Sequence, residues 1–418
     1  MSSIPAGRAA VRTREGWFSA LGVKGRRAFR AAYAGYMLDA FDLIVLTLSL
    51  SAIGATFSVG TGATGALSTV TLSASAIGGV LGGVLADRIG RARTLMLSVG
   101  VYSLFTFLSG LATSYEMLMV FRVFQGIGFG AEWGVGAVLV AELVRPESRG
   151  KALGVIQSAW ATGWALAVIA YLIAFELFAE GTAWRVLMCL GILPAVLILY
   201  VRSRVEDPQV FREAKKPDVV PLKQILSGPL LKTTLAASLL ATGIQGGYYA
   251  MFTWIPTYLK TERDLTVVGT SGYLFVVIAG AFCGYLTAGF VHDLIGRRKA
   301  FALFALLAGT SLVAYFAVPT GSNTALLIVG FPLGFFASGC FSGFGSYLAE
   351  LFPTHARATG GGFCYNVGRG IGALFPGIIG FLAAAVGLGG AIAFGVFGYV
   401  LALAALLVLP ETAGRDIA

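Results

Sequence analysis

The stretch GGVLADRIGRAR, residues 82–93, is a charged and glycine-rich turn between two long apolar runs. Its order is glycine, three residues, aspartate, two residues, glycine and arginine. The same order returns in GFVHDLIGRR at residues 289–298, so that Gly83 corresponds to Gly289 at an offset of 206 residues. The turn therefore has a counterpart half a chain away.

A second pair of motifs repeats at nearly the same spacing. The run AEL at 141–143, followed by Arg149, returns at 349–351, followed by Arg357. Two motif pairs that keep their order at an almost constant offset indicate that the chain consists of two related halves.

The composition indicates the class of fold. Of the 418 residues, 57% are hydrophobic and only 12% are charged, which leaves too few charges to cover a soluble globular domain. Apolar runs of about 20 residues recur along the chain, and each is long enough to cross a bilayer as a helix. We therefore predict an all-α integral membrane protein with twelve transmembrane helices in two six-helix, pseudo-symmetric bundles.

The apolar runs divide the chain into tails, bundles and a linker. The predicted spans are roughly 31–54, 64–86, 93–112, 116–143, 151–174, 184–201, 232–258, 268–291, 299–318, 324–350, 357–384 and 388–409. The predicted domains are a basic tail (1–30), an N-terminal bundle (31–201), a polar linker (202–231), a C-terminal bundle (232–409) and a C-terminal tail (410–418).

The distribution of basic residues predicts the topology. Most Lys and Arg fall in the tails and in the loops on one side of the bundles, whereas the loops on the other side keep only Arg185, Lys260 and Arg263. The positive-inside rule then places both termini in the cytoplasm and the protein in the cytoplasmic (inner) membrane. His292 and His355 fall at cytoplasmic helix ends, where we expect surface positions.

The same residue counts limit the partners. The net charge of +10 is explained by topology, so no nucleic-acid partner is expected. The four cysteines lie in apolar segments without CxxC spacing, which predicts neither a disulfide framework nor a metal site. The expected partners are the lipid bilayer and small solutes, and a monomer is expected.

Charges within the predicted spans indicate function, because an ionisable group in the bilayer core is costly. Asp39 and Asp42 lie three residues apart on one face of helix 1. Two close, partly desolvated carboxylates do not both ionise easily, so one of them can take up and release a proton. The alternative is a permanent ion pair with Arg122 of helix 4. Glu132, on the same stripe as Arg122, is either a site residue or a structural hydrogen-bond partner.

Helix 11 carries a cation that the repeat does not duplicate. Arg369 follows Asn366 by three residues among glycines, and the corresponding position of the first half is Ala161. An asymmetric guanidinium in a pseudo-symmetric cavity is suited to an anionic substrate, because arginine grips a carboxylate with two parallel hydrogen bonds. The alternative is a structural cation paired to a carbonyl or an acid.

Polar and aromatic side chains on helices 5 and 7 complete the predicted substrate site. They are Gln157, Trp160, Gln245, Tyr248 and Tyr249, and Arg122, Asn366 and Arg369 belong to the same predicted site. These residues can supply hydrogen bonds and a stacking wall, although aromatic residues in membrane helices also serve in packing or at the interface.

These motifs carry a resemblance to a known family. Twelve helices in two related halves, with the glycine–aspartate–glycine–arginine turn after helix 2 and its echo after helix 8, resemble the major facilitator superfamily of secondary transporters. Within it, the sequence Asp39-Ala-Phe-Asp42 and the run from Arg122 to Glu132 resemble the proton symporters for organic acids, namely the sialate, metabolite and aromatic-acid branches.

The resemblance implies a cytoplasmic gate. Gly83 and Gly90 permit close contact and a tight turn, while Asp87 can pair with Arg88 and Arg91. In the family such a cluster bridges to neighbouring helix ends, here Glu142 and Arg149. The repeat then predicts a second set: Asp293, Gly296, Arg297, Glu350 and Arg357. The alternative is that the basic residues serve only as topology anchors.

The predicted function is proton-coupled symport by alternating access about a midplane site. The expected cargo is a small organic anion, either a monocarboxylate or an aromatic or sugar acid, and the proton gradient replaces any cofactor. An exporter or facilitator and a non-transporting nutrient sensor are the alternatives. An enzyme is not expected, because no nucleophile with a base and an orienting group, and no metal cluster, occurs in the sequence.

Overall fold

The computed structural model describes residues 18–143, 149–195, 222–353 and 356–413, and these residues form helices and short connections without a strand. The helices of the first half are α1 (Gly22–Phe57), α2 (Thr61–Ile89), α3 (Arg91–Gly110), α4 (Tyr115–Leu143), α5 (Arg149–Leu177) and α6 (Glu180–Cys189), which continues as a 3-10 turn (Leu190–Ile192).

The second half repeats this order after a short helix, Leu222–Ile225. Its helices are α7 (Gly228–Thr261), α8 (Val267–Ile295), α9 (Arg297–Ala317), α10 (Asn323–Gly339 and Phe344–Leu351), α11 (Arg357–Gly372 and Leu374–Val386) and α12 (Leu388–Ala393 and Val396–Val408). As far as the described residues reach, each predicted span falls on a separate numbered helix, and the span predicted at 184–201 continues outside them after residue 195.

Eight of these helices, within the described residues, are long and apolar enough by themselves to cross a bilayer: α1, α2, α5 and α8 to α12. Their outward faces carry many exposed large apolar side chains, such as Ile77, Phe381 and Leu407. An apolar surface of this kind is stable in hydrocarbon, and the helices satisfy the backbone polar groups of their interior turns.

Helix α10 differs from the continuous span that we predict for residues 324–350. A 3-10 turn, Cys340–Gly343, divides it. At Gly343 a Cβ atom would come within 2.3 Å of the His292 ring of α8. The α-helix is interrupted where the His292 ring of α8 packs against Gly343, and this tertiary contact is absent from the local sequence pattern.

The two glycine-rich turns have the same backbone geometry. Gly90 precedes α3 with φ 97° and ψ 157°, and Gly296 precedes α9 with φ 92° and ψ 159°. Such dihedral angles are essentially restricted to glycine. The sequence repeat is therefore also a repeat of structure, and the end of the molecule that carries both turns is called the motif end below.

The halves are bonded to each other at the opposite end. Thr61 of α2 donates to the carbonyl of Gly380 in α11 (2.8 Å), and Lys260 of α7 pairs with Glu180 of α6 (2.8 Å). At Gly65 a Cβ atom would lie only 2.7 Å from the carbonyl oxygen of Pro376, so α2 and α11 approach there by their backbones.

Arg185 and Arg263, also at this opposite end, cap the C-terminal ends of helices. Arg185 donates to the carbonyls of Gly110 (3.1 Å) and Ala112 (2.5 Å) at the end of α3. Arg263 donates to the carbonyls of Val318 and Pro319 at the end of α9. Each cation satisfies carbonyls that the helix cannot pair internally and complements the negative end of the helix dipole.

Candidate functional site

A buried polar cluster, called the aspartate cluster, joins the first four helices. Asp42 of α1 has 0% exposure, and its Oδ2 accepts hydrogen bonds from Thr106 Oγ1 of α3 (2.6 Å) and Gln125 Nε2 of α4 (2.7 Å). Arg122, also 0% exposed, donates from Nε to Thr71 Oγ1 of α2 (3.3 Å). Four helices therefore contribute to the cluster, and α4 contributes both Gln125 and Arg122.

Several atoms of this cluster have no hydrogen-bond partner among the described residues. They are Asp42 Oδ1, Gln125 Oε1 and both terminal nitrogens of Arg122. The alternative that we predict is an ion pair between Asp42 and Arg122. Arg122 attracts Asp42 electrostatically, but it donates its hydrogen bond to Thr71 and not to the carboxylate. An unsatisfied buried polar group costs roughly 1–3 kcal/mol. Several together are consistent with a site that needs them for function.

Asp39 lies one turn before Asp42 on α1 and is also fully buried. The side chain of Glu132 falls outside the described side chains, so its two predicted roles stay open.

A second cluster lies between the halves and is called the arginine–aromatic cluster. Arg369 of α11 is 5% exposed, and its guanidinium carbon lies 5.2 Å from the ring centre of Tyr365 and 5.7 Å from that of Phe129. Tyr365 belongs to α11, whereas Phe129 belongs to α4 in the first half. Arg369 Nε has no hydrogen-bond acceptor among the described residues. The cation is thus enclosed by rings from both halves and retains a free donor.

Hydrogen bonds fix the surrounding groups of this cluster. Gln245 Nε2 donates to the carbonyl of Tyr365 (2.9 Å), and the hydroxyl of Tyr249 donates to Gln245 Oε1 (3.0 Å). Trp160 Nε1 of α5 donates to the Tyr248 hydroxyl of α7 (3.1 Å), which is a direct bond between the halves. Four residues predicted for the substrate site, on α5 and α7, therefore meet near Arg369.

The remaining predicted substrate residues are placed differently. Asn366 donates to the carbonyl of Gly362 one turn earlier (3.0 Å) and packs on Gly79 of α2, where a Cβ atom would lie 2.3 Å from Asn366 Oδ1. Gln157 is buried with 8% exposure. Arg122 belongs to the aspartate cluster, with Asp42.

Sequence reasoning missed several members of both clusters: Tyr36, Thr71, Thr106, Phe129 and Tyr365. A signal existed for Tyr36, which precedes Asp39 by three residues and whose ring centre lies 5.4 Å from that of Trp160. No local signal distinguishes Thr106 or Phe129 from packing residues, because their roles come from contacts between helices.

The motif end of the second half carries an ion cluster. Arg297 pairs with Asp293 one turn earlier and with Glu350 Oε1 of α10 (3.1 Å). Thr412 of the C-terminal tail donates to Glu350 Oε2 (2.5 Å). Arg357 donates to the carbonyl of Ala349 (2.9 Å). The structure thus joins three of the predicted gate residues and adds the tail to them.

Glu411 extends this cluster to the start of α9. Its carboxylate accepts hydrogen bonds from the backbone N–H groups of Arg297 (2.8 Å) and Arg298 (3.1 Å). Partial burial by itself raises the pKa of Glu411, but the backbone donors of Ala413, Arg297, Thr412 and Arg298 together lower that pKa below its usual value.

The corresponding side chains of the first half, those of Asp87, Arg91, Glu142 and Arg149, lie outside the described side chains. Gly83 and Arg88 are exposed.

The predicted surface position of His292 is wrong. Its side chain is 1% exposed, its ring lies edge-on 4.7 Å from that of Phe301, and Gly343 closes the other side. This position on α8 faces α9 and the break in α10, which proximity to a helix end does not reveal. His355 lies outside the described residues.

Comparison with known proteins identifies the family. A profile described as "Major Facilitator Superfamily" matches residues 32–291, and one described as "Sugar (and other) transporter" matches residues 209–418. The chain therefore belongs to the major facilitator superfamily, and the twelve helices form the two-half membrane fold of that family.

Its relatives are named as organic-acid transporters. The chain is 37% identical over 404 residues to a "Probable 4-methylmuconolactone transporter" of Cupriavidus pinatubonensis, covering 96% of this chain and 94% of the relative. It is 31% identical over 383 residues to a "Cis,cis-muconate transport protein" of Acinetobacter baylyi, covering 87% and 89%. These relatives confirm the predicted resemblance to organic-acid transporters.

A solved structure shares the fold. The xylose transporter XylE from E. coli, in a partially occluded inward open conformation, superposes with a TM-score of 0.73 at 17% identity and covers 94% of this chain and 99% of its own. At this identity the similarity concerns the fold alone.

Proposed function

We propose that the protein takes up a small organic anion together with protons, by alternating access across the cytoplasmic membrane. The observation that carries the proposal is the position of Arg369, which is buried between the halves under rings from both of them. A guanidinium there can bind a carboxylate through paired hydrogen bonds. Because Phe129 and Tyr365 belong to different halves, rotation of one half against the other changes the site.

The aromatic walls favour a planar or apolar body behind the carboxylate. Tyr365 and Phe129 lie over the cation, Trp160 packs against Phe129 and bonds to Tyr248, and Tyr249 is positioned by Gln245. Aromatic side chains provide large apolar contacts with a few directed hydrogen bonds. The compounds named for the two relatives, 4-methylmuconolactone and cis,cis-muconate, are therefore the first substrates to test.

The aspartate cluster supports proton coupling. Asp42 is fully buried and keeps one oxygen without a hydrogen bond, while the nearby Arg122 has two unsatisfied nitrogens. A carboxyl group in this setting changes protonation state at moderate cost, because neither state is fully satisfied. Buried acids in membrane helices commonly mark proton pathways.

The contacts between the halves at the end opposite the motif end support an inward-facing conformation. With the motif end in the cytoplasm, the contacts Thr61 to Gly380 and Lys260 to Glu180 close the external side. The cargo would then leave toward the cytoplasm, as uptake requires.

Uptake in proteoliposomes tests the proposal. With an inward proton gradient, labelled cis,cis-muconate or 4-methylmuconolactone should accumulate above equilibrium, and a protonophore should reduce the level to equilibration. The variant Arg369→Gln should lose uptake. Arg298→Gln, which removes a cation at the start of α9, should retain it.

Two outcomes would contradict the proposal. Accumulation that ignores the protonophore would remove proton coupling. Transport only out of the vesicle against the gradient would identify an exporter.

A further inference from the structure

The Thr106 hydroxyl has two acceptors and one proton. It lies 2.6 Å from Asp42 Oδ2 and 2.9 Å from the carbonyl oxygen of Tyr102, one turn earlier on its own helix. A hydroxyl carries a single donor, so it can donate to only one of these oxygens at a time. The position therefore allows two hydrogen-bond arrangements without movement of the backbone.

The first arrangement fits an ionised Asp42. Thr106 and Gln125 Nε2 both donate to Oδ2, and Arg122 adds attraction through space. The Tyr102 carbonyl then keeps only its bond within the helix, which is sufficient for a carbonyl oxygen.

The second arrangement fits a protonated Asp42. A proton on Oδ2 finds an acceptor at once, because the Thr106 oxygen has free lone pairs, and the Thr106 hydroxyl then donates to the Tyr102 carbonyl. A proton on Oδ1 would find no partner among the described residues. We infer that Thr106 is a positioning residue that reverses its hydrogen bond when Asp42 gains or loses a proton, and thereby assigns the exchanged proton to Oδ2 of Asp42.

The step is balanced. One proton arrives and one O–H bond forms at Oδ2, the Thr106 hydroxyl rotates from Asp42 to Tyr102, and release reverses both changes. The Thr106 hydroxyl has an acceptor before and after the step, and the proton on Asp42 has one once it is bound. An unmade buried hydrogen bond costs roughly 1–3 kcal/mol, so the rotation removes a penalty from one protonation state.

The surroundings keep the pair isolated. Gly191 of α6 closes over it, since a Cβ atom there would lie 2.3 Å from Thr106 and 2.9 Å from Asp42 Oδ1. The groups placed against Asp42 are Gln125 and Arg122 from α4, Thr106 from α3 and Gly191 in the 3-10 turn after α6, with Asp39 one turn away on α1. Arg122 is thus the charged group that acts on Asp42 from another helix.

A bond from threonine to the carbonyl four residues earlier is common in helices and by itself indicates nothing. Asp42 Oδ2 at 2.6 Å makes this threonine different. The inference rests on the proposed proton coupling, so its test has one readout that needs no transport.

Infrared difference spectroscopy of the purified protein provides that readout. As the pH falls, the carboxyl groups give carboxylic-acid C=O bands, and the component that is present in the wild type but absent in Asp42→Asn is the Asp42 band. In Thr106→Val the midpoint of this band should move to higher pH by about one unit, because a hydrogen bond to a charged acceptor is worth more than one from a neutral acid. Thr106→Ser should restore the wild-type midpoint.

A matched control removes another buried hydroxyl of α3. Ser109 donates to the Phe105 carbonyl four residues earlier (2.7 Å) without a carboxylate partner, so Ser109→Ala should leave the midpoint unchanged. Thr106→Ala serves as a second test variant if the valine variant does not fold.

The same variants in the uptake assay complete the test. The pH profile of uptake should shift in Thr106→Val and return in Thr106→Ser. An identical midpoint of the Asp42 band in Thr106→Val and wild type, or spectra of wild type and Asp42→Asn that do not differ, would overturn the inference. If the band behaves as expected but the wild type shows no proton-driven uptake, the proposed function alone fails.

Discussion

The two halves share a scaffold but differ in their buried charges. Gly90 and Gly296 start the third helix of each half with almost the same dihedral angles, and Arg185 and Arg263 bond the far ends of those helices. The first half contains a carboxylate with a guanidinium among four helices. The second half places a lone guanidinium, that of Arg369, against the partner half.

The difference teaches how a duplicated fold acquires two tasks. The position that corresponds to Arg369 is Ala161, and the one that corresponds to Asp42 is Tyr248. Neither charge is duplicated, so the pairing of helices repeats while the buried charged clusters differ. In the proposed function the first half exchanges the proton and Arg369 of the second half binds the anion. The Trp160–Tyr248 hydrogen bond connects the two halves directly.

The largest effect is expected from a substitution that removes the proposed proton site in the first half and leaves the proposed anion site unchanged. Asp42→Asn should abolish gradient-driven accumulation while exchange of labelled for unlabelled substrate continues, because the anion site is intact. Glu116→Gln, an exposed acid at the start of α4, is the control and should accumulate normally. Retained accumulation in Asp42→Asn would remove Asp42 from coupling.

The next effect sharpens the anion half. Arg369→Lys keeps the charge but loses the paired donors, so apparent affinity should fall about tenfold, equivalent to about 1.4 kcal/mol. The proton dependence should stay as in the wild type. Arg298→Lys is the control, and an unchanged affinity in Arg369→Lys would count against direct contact with the substrate.

The shared scaffold gives a smaller effect that should appear in both halves. Gly90→Ala and Gly296→Ala place alanine at dihedral angles that only glycine adopts easily. This strain costs roughly 1–3 kcal/mol, so each substitution should lower the unfolding temperature. Gly83→Ala and Gly289→Ala are the matched controls, since a Cβ atom at either position meets nothing within 4 Å. A loss in one half alone would contradict the structural repeat.

The smallest effect concerns the tail of the second half. The backbone donors lower the pKa of Glu411, so its stabilising contribution is present above the unfolded pKa of about 4.3 and disappears as pH falls through the lower folded value. Near pH 6, Glu411→Gln should therefore lower the free energy of unfolding by less than about 1 kcal/mol, and the variant should unfold at a lower temperature than the wild type. The two proteins should converge at more acidic pH, and a difference that persists there would exclude the charge as its cause.

The scaffold could be predicted from sequence because hydropathy, basic-residue asymmetry and a repeated turn are local signals. Arg369 and Asp42 could be selected because a buried charge in an apolar span is conspicuous. Thr106 and Phe129 could not, because a threonine and a phenylalanine in such a span are ordinary until another helix brings a carboxylate or a guanidinium beside them. His292 shows the converse error, since a polar residue at a helix end was taken as exposed although α9 and α10 cover it.

One measurement tests the division of labour most directly. Proteoliposomes that contain an internal pH dye should acidify when cis,cis-muconate or 4-methylmuconolactone is added outside without an imposed gradient. The account predicts acidification in the wild type, none in Asp42→Asn despite continued substrate exchange, and a response in Arg369→Lys only at higher substrate concentration. Two results in Asp42→Asn would contradict the separation of proton and anion sites between the halves. One is acidification as in the wild type, and the other is the loss of both acidification and substrate exchange.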